Sequence, residues 1–163
     1  MTGEFTIIRD DVKIGKDSKV WHFCNLYGCK IGENTQVGSY TEIKEGAYVG
    51  NNCRIQARAF ISEGTRIGNY VFIGPSVTFL NDKYPSARKA INKNWTLESV
   101  VVEDEVSIGG GVIIMPGVRI GRNSVIGAGS VVTKNIPEYS VVYGNPAKIM
   151  GNVKLERYKE FRK

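Results

Sequence analysis

Histidine is almost missing from this chain: His22 stands alone in 163 residues. A zinc centre built on three imidazoles cannot be assembled from that supply. Three cysteines, Cys24, Cys29 and Cys53, have a spacing that fits no zinc pattern, so no metal is expected. No run of eighteen apolar residues occurs, which excludes a membrane-spanning helix. The opening MTGEFTIIRDDV carries no apolar signal segment and reads as cytoplasmic. The formal charge is +6, yet the basic residues form no single dense stripe of the kind that tracks nucleic acid. They concentrate at Lys83, Arg88, Lys89 and Lys93 and between Lys148 and Lys163, where a phosphate-rich small substrate or cofactor explains them equally well.

What is present is a six-residue beat. Ile31, Val37, Ile43, Val49, Ile55, Ile61, Ile67, Ile73 and Phe79 stand six apart, and the beat resumes at Val102, Ile108, Ile114, Ile120, Ile126 and Val132. A weaker early run is Ile8, Ile14, Val20 and Leu26. Two positions before each aliphatic residue stands a small or β-branched one, such as Thr41, Ala47, Cys53, Ala59, Thr65, Val106 or Ser130. Residues two apart in a strand share a face, so each hexad offers one large and one small inward group. Cys24 and Cys53 fall at small inward positions and read as buried thiols. Glycine often follows the aliphatic residue, as at Gly15, Gly32, Gly38, Gly50, Gly68, Gly74, Gly109, Gly121 and Gly127, and its tolerance of positive φ suits a sharp corner. Strand and corner, repeated three times, give a triangular coil of eighteen residues. One wall should carry Ile31, Val49, Ile67, Val102 and Ile120; the second Val37, Ile55, Ile73, Ile108 and Ile126; the third Ile43, Ile61, Phe79, Ile114 and Val132.

The beat breaks once at length. Between Phe79 and Val102 lie 23 positions where six would do. The excess marks an inserted loop, 80–101, carrying Asn81, Asp82, Lys83, Tyr84, Arg88, Lys89 and Trp95, and long loops on rigid scaffolds are commonly functional. A second irregularity is the corner column Trp21, Gly38, Gln56, Gly74, Gly109 and Gly127. Its upper part, Gly109-Gly110 and Gly127-Ala128, is nearly bare of side chains, which leaves backbone open to an extended, amide-bearing ligand such as pantetheine. The same glycines equally well serve tight corners alone. His22 projects from the lower part of this corner, flanked by Trp21 and Asn25. The tail 152–163 can form a short amphipathic helix covering the last coil.

The stretch IGGGVIIMPGVRIGRNSVIGAGSVVTKNIPEYSVVYGNPAKIMG, with AGSVVTK followed by the GNPAK turn, resembles the C-terminal part of the hexapeptide-repeat acyltransferases. VWHF at 20–23, RIQ at 54–56 and FIGPSVTFLNDKYP at 72–85 are similar to N-acetyltransferases acting on nucleotide-linked amino sugars. The resemblance implies a left-handed parallel β-helix of about six triangular coils over residues 1–151, an acetyl-CoA co-substrate, and a homotrimer with active sites between subunits. It implies that Gly109, Gly110, Gly127 and Ala128 hold the pantetheine, that Lys134 and Lys148 meet the phosphates, and that Asn145, Pro146 and Ala147 border the adenine. His22, Asn25 and Gln56 would face the sugar, with Tyr84 and Arg88 contributing from the loop. Family members often carry a second histidine where this chain has Asn25.

Relatives that acetylate hydroxyls place a histidine in or near the inserted loop, and this loop has none. An alcohol is a weak nucleophile without a positioned base, whereas an amine with a pKa of about 8 is appreciably free base at neutral pH. The expected activity is therefore acetyl-CoA-dependent N-acetylation of a nucleotide-linked amino sugar. Asn81 would orient the amine, the Gly110 N–H would stabilise the oxyanion, and Asp82, water or the departing thiolate would take the proton. His22 as base of an O-acetyltransferase, and a non-catalytic trimeric scaffold, stand as alternatives.

Overall fold

The computed structural model describes residues 2–155 and residue 160. Nineteen two-residue strands, β1 (Ile7–Ile8) to β19 (Val131–Val132), are laid down in strict rotation on three parallel walls. The first wall stacks the Ile31, Val49, Ile67, Val102 and Ile120 strands, and the other two follow the columns expected from the beat. Six complete turns run from Lys13 to Val132, with a partial turn at each end. The result is an all-β, three-sided parallel solenoid, consistent with the left-handed β-helix.

The core is the beat itself. Ile43, Ile61, Phe79, Ile108, Ile114, Ile120 and Val132 have no exposed surface. Each strand turns its first residue outward and its second inward, so one aliphatic side chain per hexad stacks on its counterpart one coil away. The small inward positions do more than fill space. Thr35 Oγ1 donates to the Gly50 carbonyl (2.9 Å), Ser124 Oγ to that of Pro137 (2.9 Å), Cys24 Sγ to that of Gly38 (3.2 Å) and Cys53 Sγ to that of Gly68 (3.1 Å). The two thiols thus tie corners together like the hydroxyls around them. Burial pushes the Cys24, Cys29 and Cys53 thiols up, Cys29 to about 11.

Three features depart from the simplest reading of the repeat. Registers between successive coils are eighteen residues, as in Ile43 with Ile61, but Ile14, Val20 and Leu26 pair with Ile31, Val37 and Ile43 at seventeen. The corner Tyr27-Gly28-Cys29 is one residue short, and the phase of the sequence slips there. Secondly, the glycine after each aliphatic residue is not at positive φ. That conformation falls two residues later, on Asn34, Tyr40, Asn52, Tyr70, Ser76, Gly111, Asn123 and Gly129. The column glycines answer to close approach instead: a Cβ on Gly109 would stand 2.5 Å from the Ala128 nitrogen of the next coil. Thirdly, the chain leaves the parallel pattern at its upper end. Strand β20 (Ser140–Gly144) joins the second wall in parallel, and β21 (Ala147–Asn152) folds back antiparallel on it. The expected helical tail lies largely outside the described residues; the α-helix among the described residues is α1 (Ala87–Ile91), inside the inserted loop.

Candidate active site

The corner between the second and third walls forms one continuous edge. From below upward its first column is Trp21, Gly38, Gln56, Gly74, Gly109 and Gly127, and the next residues outward are His22, Ser39, Ala57, Pro75, Gly110 and Ala128. Near the top the edge is bare. Phe72, Ser107, Ile108, Gly109, Val125, Ile126, Gly127 and Ala128 line a groove of about 390 Å³ beside it. The Gly110 carbonyl accepts from Gly129 (2.9 Å), whereas the N–H groups of Gly110 and Ala128 donate to nothing among the described residues. Two uncommitted backbone donors on an apolar ledge are what an amide carbonyl or a developing oxyanion requires.

The β20–β21 turn closes the upper end of that ledge. Ser130 Oγ donates to the Gly127 carbonyl (2.6 Å) and accepts from the Gly144 N–H (3.1 Å), which pins the turn 144–147 above Gly129. Gly109, Gly110, Gly127, Ala128 and the turn residues Asn145, Pro146, Ala147 and Lys148 therefore share one edge. Lys134 does not join them: it follows β19 and lies at the corner between the third and first walls.

The inserted loop leaves from that other corner too. The Asn81 carbonyl accepts from the Glu98 N–H (2.9 Å), and the Glu98 carbonyl accepts from Gly117 (3.0 Å), so the excursion has a closed neck and Val100 is already back in the core. Asp82 caps its own turn by accepting from the Tyr84 N–H (2.9 Å). The Ser86 hydroxyl caps α1, and the Lys83 and Lys89 ammonium groups each lie 5.7 Å from the Tyr84 ring. The side-chain amide of Asn81 is uncommitted among the described residues, as is the Arg88 guanidinium. Within one protomer the loop and the glycine ledge stand on opposite edges of the third wall.

His22 lies on the ledge's own edge but four coils below Gly110, roughly 19 Å at the usual interstrand spacing. Its Nδ1 accepts from the Glu4 N–H (2.9 Å). A ring nitrogen that accepts a backbone proton has spent its lone pair, so the neutral imidazole carries its proton on Nε2. Gln56 stands exposed between His22 and the ledge, and Asn25 faces outward on the third wall. A larger hollow of about 520 Å³ lies at the remaining corner, lined by Glu103, Arg119, Arg122 and neighbours. It contains an ion-paired network in which the Arg122 N–H (2.9 Å) and the Arg119 guanidinium hold the Glu103 carboxyl below its ordinary range. Among the described residues no cluster of His, Cys, Asp or Glu fits a metal ion, and no helix is long and apolar enough to cross a membrane.

Residues 28–63 and 99–134 match the family model for bacterial transferase hexapeptide (six repeats). A maltose O-acetyltransferase of Clostridium difficile 630 is 30% identical, with 88% of this chain and 70% of that chain covered and a TM-score of 0.52. The chain belongs to the hexapeptide-repeat acyltransferases. A hexapeptide-repeat acetyltransferase of Vibrio cholerae, solved with acetyl coenzyme A, is 29% identical over 89% of this chain and 72% of that one, at a TM-score of 0.56. The galactoside O-acetyltransferase of Lactococcus lactis is 39% identical over 97 residues, 57% of this chain and 45% of that protein. This hexapeptide-repeat chain thus spans under half the length of that curated relative.

Proposed function

We propose that the protein transfers an acetyl group from acetyl-CoA to the amino group of a nucleotide-linked amino sugar, in glycan or surface polysaccharide synthesis. The carrying observation is the glycine ledge: an apolar groove with free N–H groups on Gly110 and Ala128, roofed by the 144–147 turn. The pantetheine lies along it, and the thioester carbonyl meets the Gly110 N–H. Lys148 at the roof meets the phosphates, and Lys134 does so only from the next corner. The loop of one protomer cannot cover its own ledge across the third wall, so a neighbouring copy in a homotrimer brings Asn81, Tyr84 and Arg88 to it.

The amine attacks the thioester carbon, forming the C–N bond, and the tetrahedral oxyanion rests on the backbone donor. Collapse breaks the C–S bond. The ammonium proton passes to the leaving thiolate, to water, or to the Asp82 carboxylate, whose one hydrogen-bond partner among the described residues is the Tyr84 N–H. His22 is poorly suited as base, because its Nδ1 is taken and its Nε2 is a donor. That argument favours an amine, which arrives as its own nucleophile. The competing O-acetyl reading has one specific support, the names of the maltose and galactoside relatives.

The deciding experiment offers acetyl-CoA with a panel of nucleotide amino sugars and of unactivated hydroxyl sugars, following thiol release. Amino sugars alone should react, and His22→Ala should lower kcat less than about tenfold, against the 100-fold or more that removal of a general base costs. Turnover of hydroxyl sugars alone, abolished in His22→Ala, would establish the O-acetyl reading instead. No turnover and no acetyl-CoA binding would leave a scaffold.

A further inference from the structure

The same edge that carries the glycine ledge carries, lower down, an exposed aromatic ladder. Phe5, Phe23 and Tyr40 occupy successive rungs of its outermost column. Phe5 and Phe23 stack with centroids 5.4 Å apart and planes 7° apart; Phe23 and Tyr40 stack at 4.9 Å and 9°. The rings are 75%, 46% and 59% exposed, a heavy cost in wetted apolar surface for groups that add nothing to the core. Phe23 has both faces covered. Tyr40 has one face on Phe23 and, among the described residues, no ring or cation over the other. The ladder stops there: the next rungs upward are Arg58, Ser76, Gly111 and Gly129. Arg58 is exposed, and its guanidinium has no ion pair or side-chain hydrogen bond among the described residues.

The edge therefore has a floor, the open face of Tyr40, and a roof, the 144–147 turn, about five rungs or ~24 Å apart. Between them, among the described residues, stand the unpaired Arg58 guanidinium and an almost bare backbone. A flat π-face below a free guanidinium suits a planar base joined to a diphosphate, since stacking is indifferent to which base it is and arginine grips phosphate oxygens. We infer that Tyr40 and Arg58 form the nucleotide subsite for the acyl acceptor: the base stacks on Tyr40, the diphosphate pairs with Arg58, and the sugar rises past Gly74 and Ser76 to the thioester at Gly110. This rests on the proposed nucleotide-sugar reading and deepens it. It puts acceptor and donor end to end along one edge, and leaves His22 one rung below Tyr40, on the side away from the base and the reacting amine.

Titration calorimetry on the full chain with uridine, thymidine and guanosine diphosphates, and with inorganic pyrophosphate, tests the assignment. At least one nucleoside diphosphate should bind. Tyr40→Ala should weaken it about 5- to 150-fold and leave pyrophosphate unchanged, while Tyr40→Phe should restore affinity to within about threefold. Arg58→Ala should weaken nucleotide and pyrophosphate alike, about tenfold or more. Acetyl-CoA affinity should be the same in every variant. The inference is overturned if no nucleoside diphosphate binds, if Tyr40→Ala leaves affinity unaltered, or if Tyr40→Ala changes the sedimenting size, which would make the ladder a subunit contact. The two levels separate cleanly. Nucleotide amino sugars acetylated with an unchanged KM in Tyr40→Ala would sink the subsite and keep the reaction; Tyr40-dependent nucleotide binding without amine acetylation would do the reverse.

Discussion

Replacing Gly109 by alanine tests whether close approach, rather than backbone conformation, selects glycine along the edge. The new Cβ would stand 2.5 Å from the Ala128 nitrogen, 2.8 Å from its Cα and 3.1 Å from its Cβ. Ordinary contact needs about 3.4–4 Å, and the obstructing atoms belong mainly to a backbone tied into the ladder by the Gly109-to-Ile126 hydrogen bond (2.8 Å). The two coils must part by most of an ångström, which strains that bond and opens the core beneath. Overpacking of this kind costs about 1–3 kcal/mol, and at about 2–4 °C per kcal/mol for a chain of this size Gly109→Ala should melt about 2–12 °C lower. Gly110→Ala is the internal control. Its Cβ would meet the Pro75 ring at 3.2 Å and needs a shift of only a few tenths of an ångström, so the melt should move by less than about 3 °C. Circular dichroism melts of the two variants beside the parent make the comparison. Equal, small shifts in both would refute the close-approach account, and with it the view that the ledge is bare because the coils leave no room.

Other consequences are as direct. Ser130→Ala removes a donor to Gly127 and an acceptor for Gly144, so it should cost about 1–3 kcal/mol and raise amide exchange at Gly144, with acetyl-CoA affinity falling as the roof loosens. The three buried thiols have raised pKa values when folded; their stabilising contribution is full below the unfolded thiol value near 8.5 and is lost as pH rises toward about 11, so urea midpoints should drop through that window and drop less in Cys29→Ala. Cys53→Ser should be nearly neutral because a hydroxyl can make the same bond to the Gly68 carbonyl, whereas Cys53→Val, which cannot, should cost about 1 kcal/mol. Asn81→Ala should lower kcat with acetyl-CoA affinity unchanged if the loop orients the amine, and a fall in that affinity alone would assign it to the donor instead.

Most of the solenoid was legible because one side chain per hexad must point inward, and Ile43, Ile61 and Phe79 repeat at the distance that stacks them. The seventeen-residue coil was visible only as a five-residue gap between Leu26 and Ile31, and its meaning depends on pairing that no local pattern encodes. The reason for the glycines was hidden for a similar cause. Gly109 is constrained by an atom of Ala128, nineteen residues away, and that contact exists only once the coils are stacked. The tie between His22 and the Glu4 N–H is likewise a product of stacking, and it bears on the chemistry more than the presence of the imidazole does. The Phe5–Phe23–Tyr40 ladder could have been found by writing the chain in rows of a coil, provided the short row was noticed. The loop's relation to the ledge is of a different kind, since the two sit on separate corners of one protomer and no pattern within the chain brings them together.

Because every rung of the edge is one circuit of the chain, the span available to bound molecules is quantised. Adding or deleting eighteen residues between Arg58 and Ser76 would lengthen or shorten it by about 4.8 Å without disturbing either end. Point substitutions cannot make that adjustment. Reach along this surface is set by counting circuits, and a chain built this way measures its ligands in whole steps.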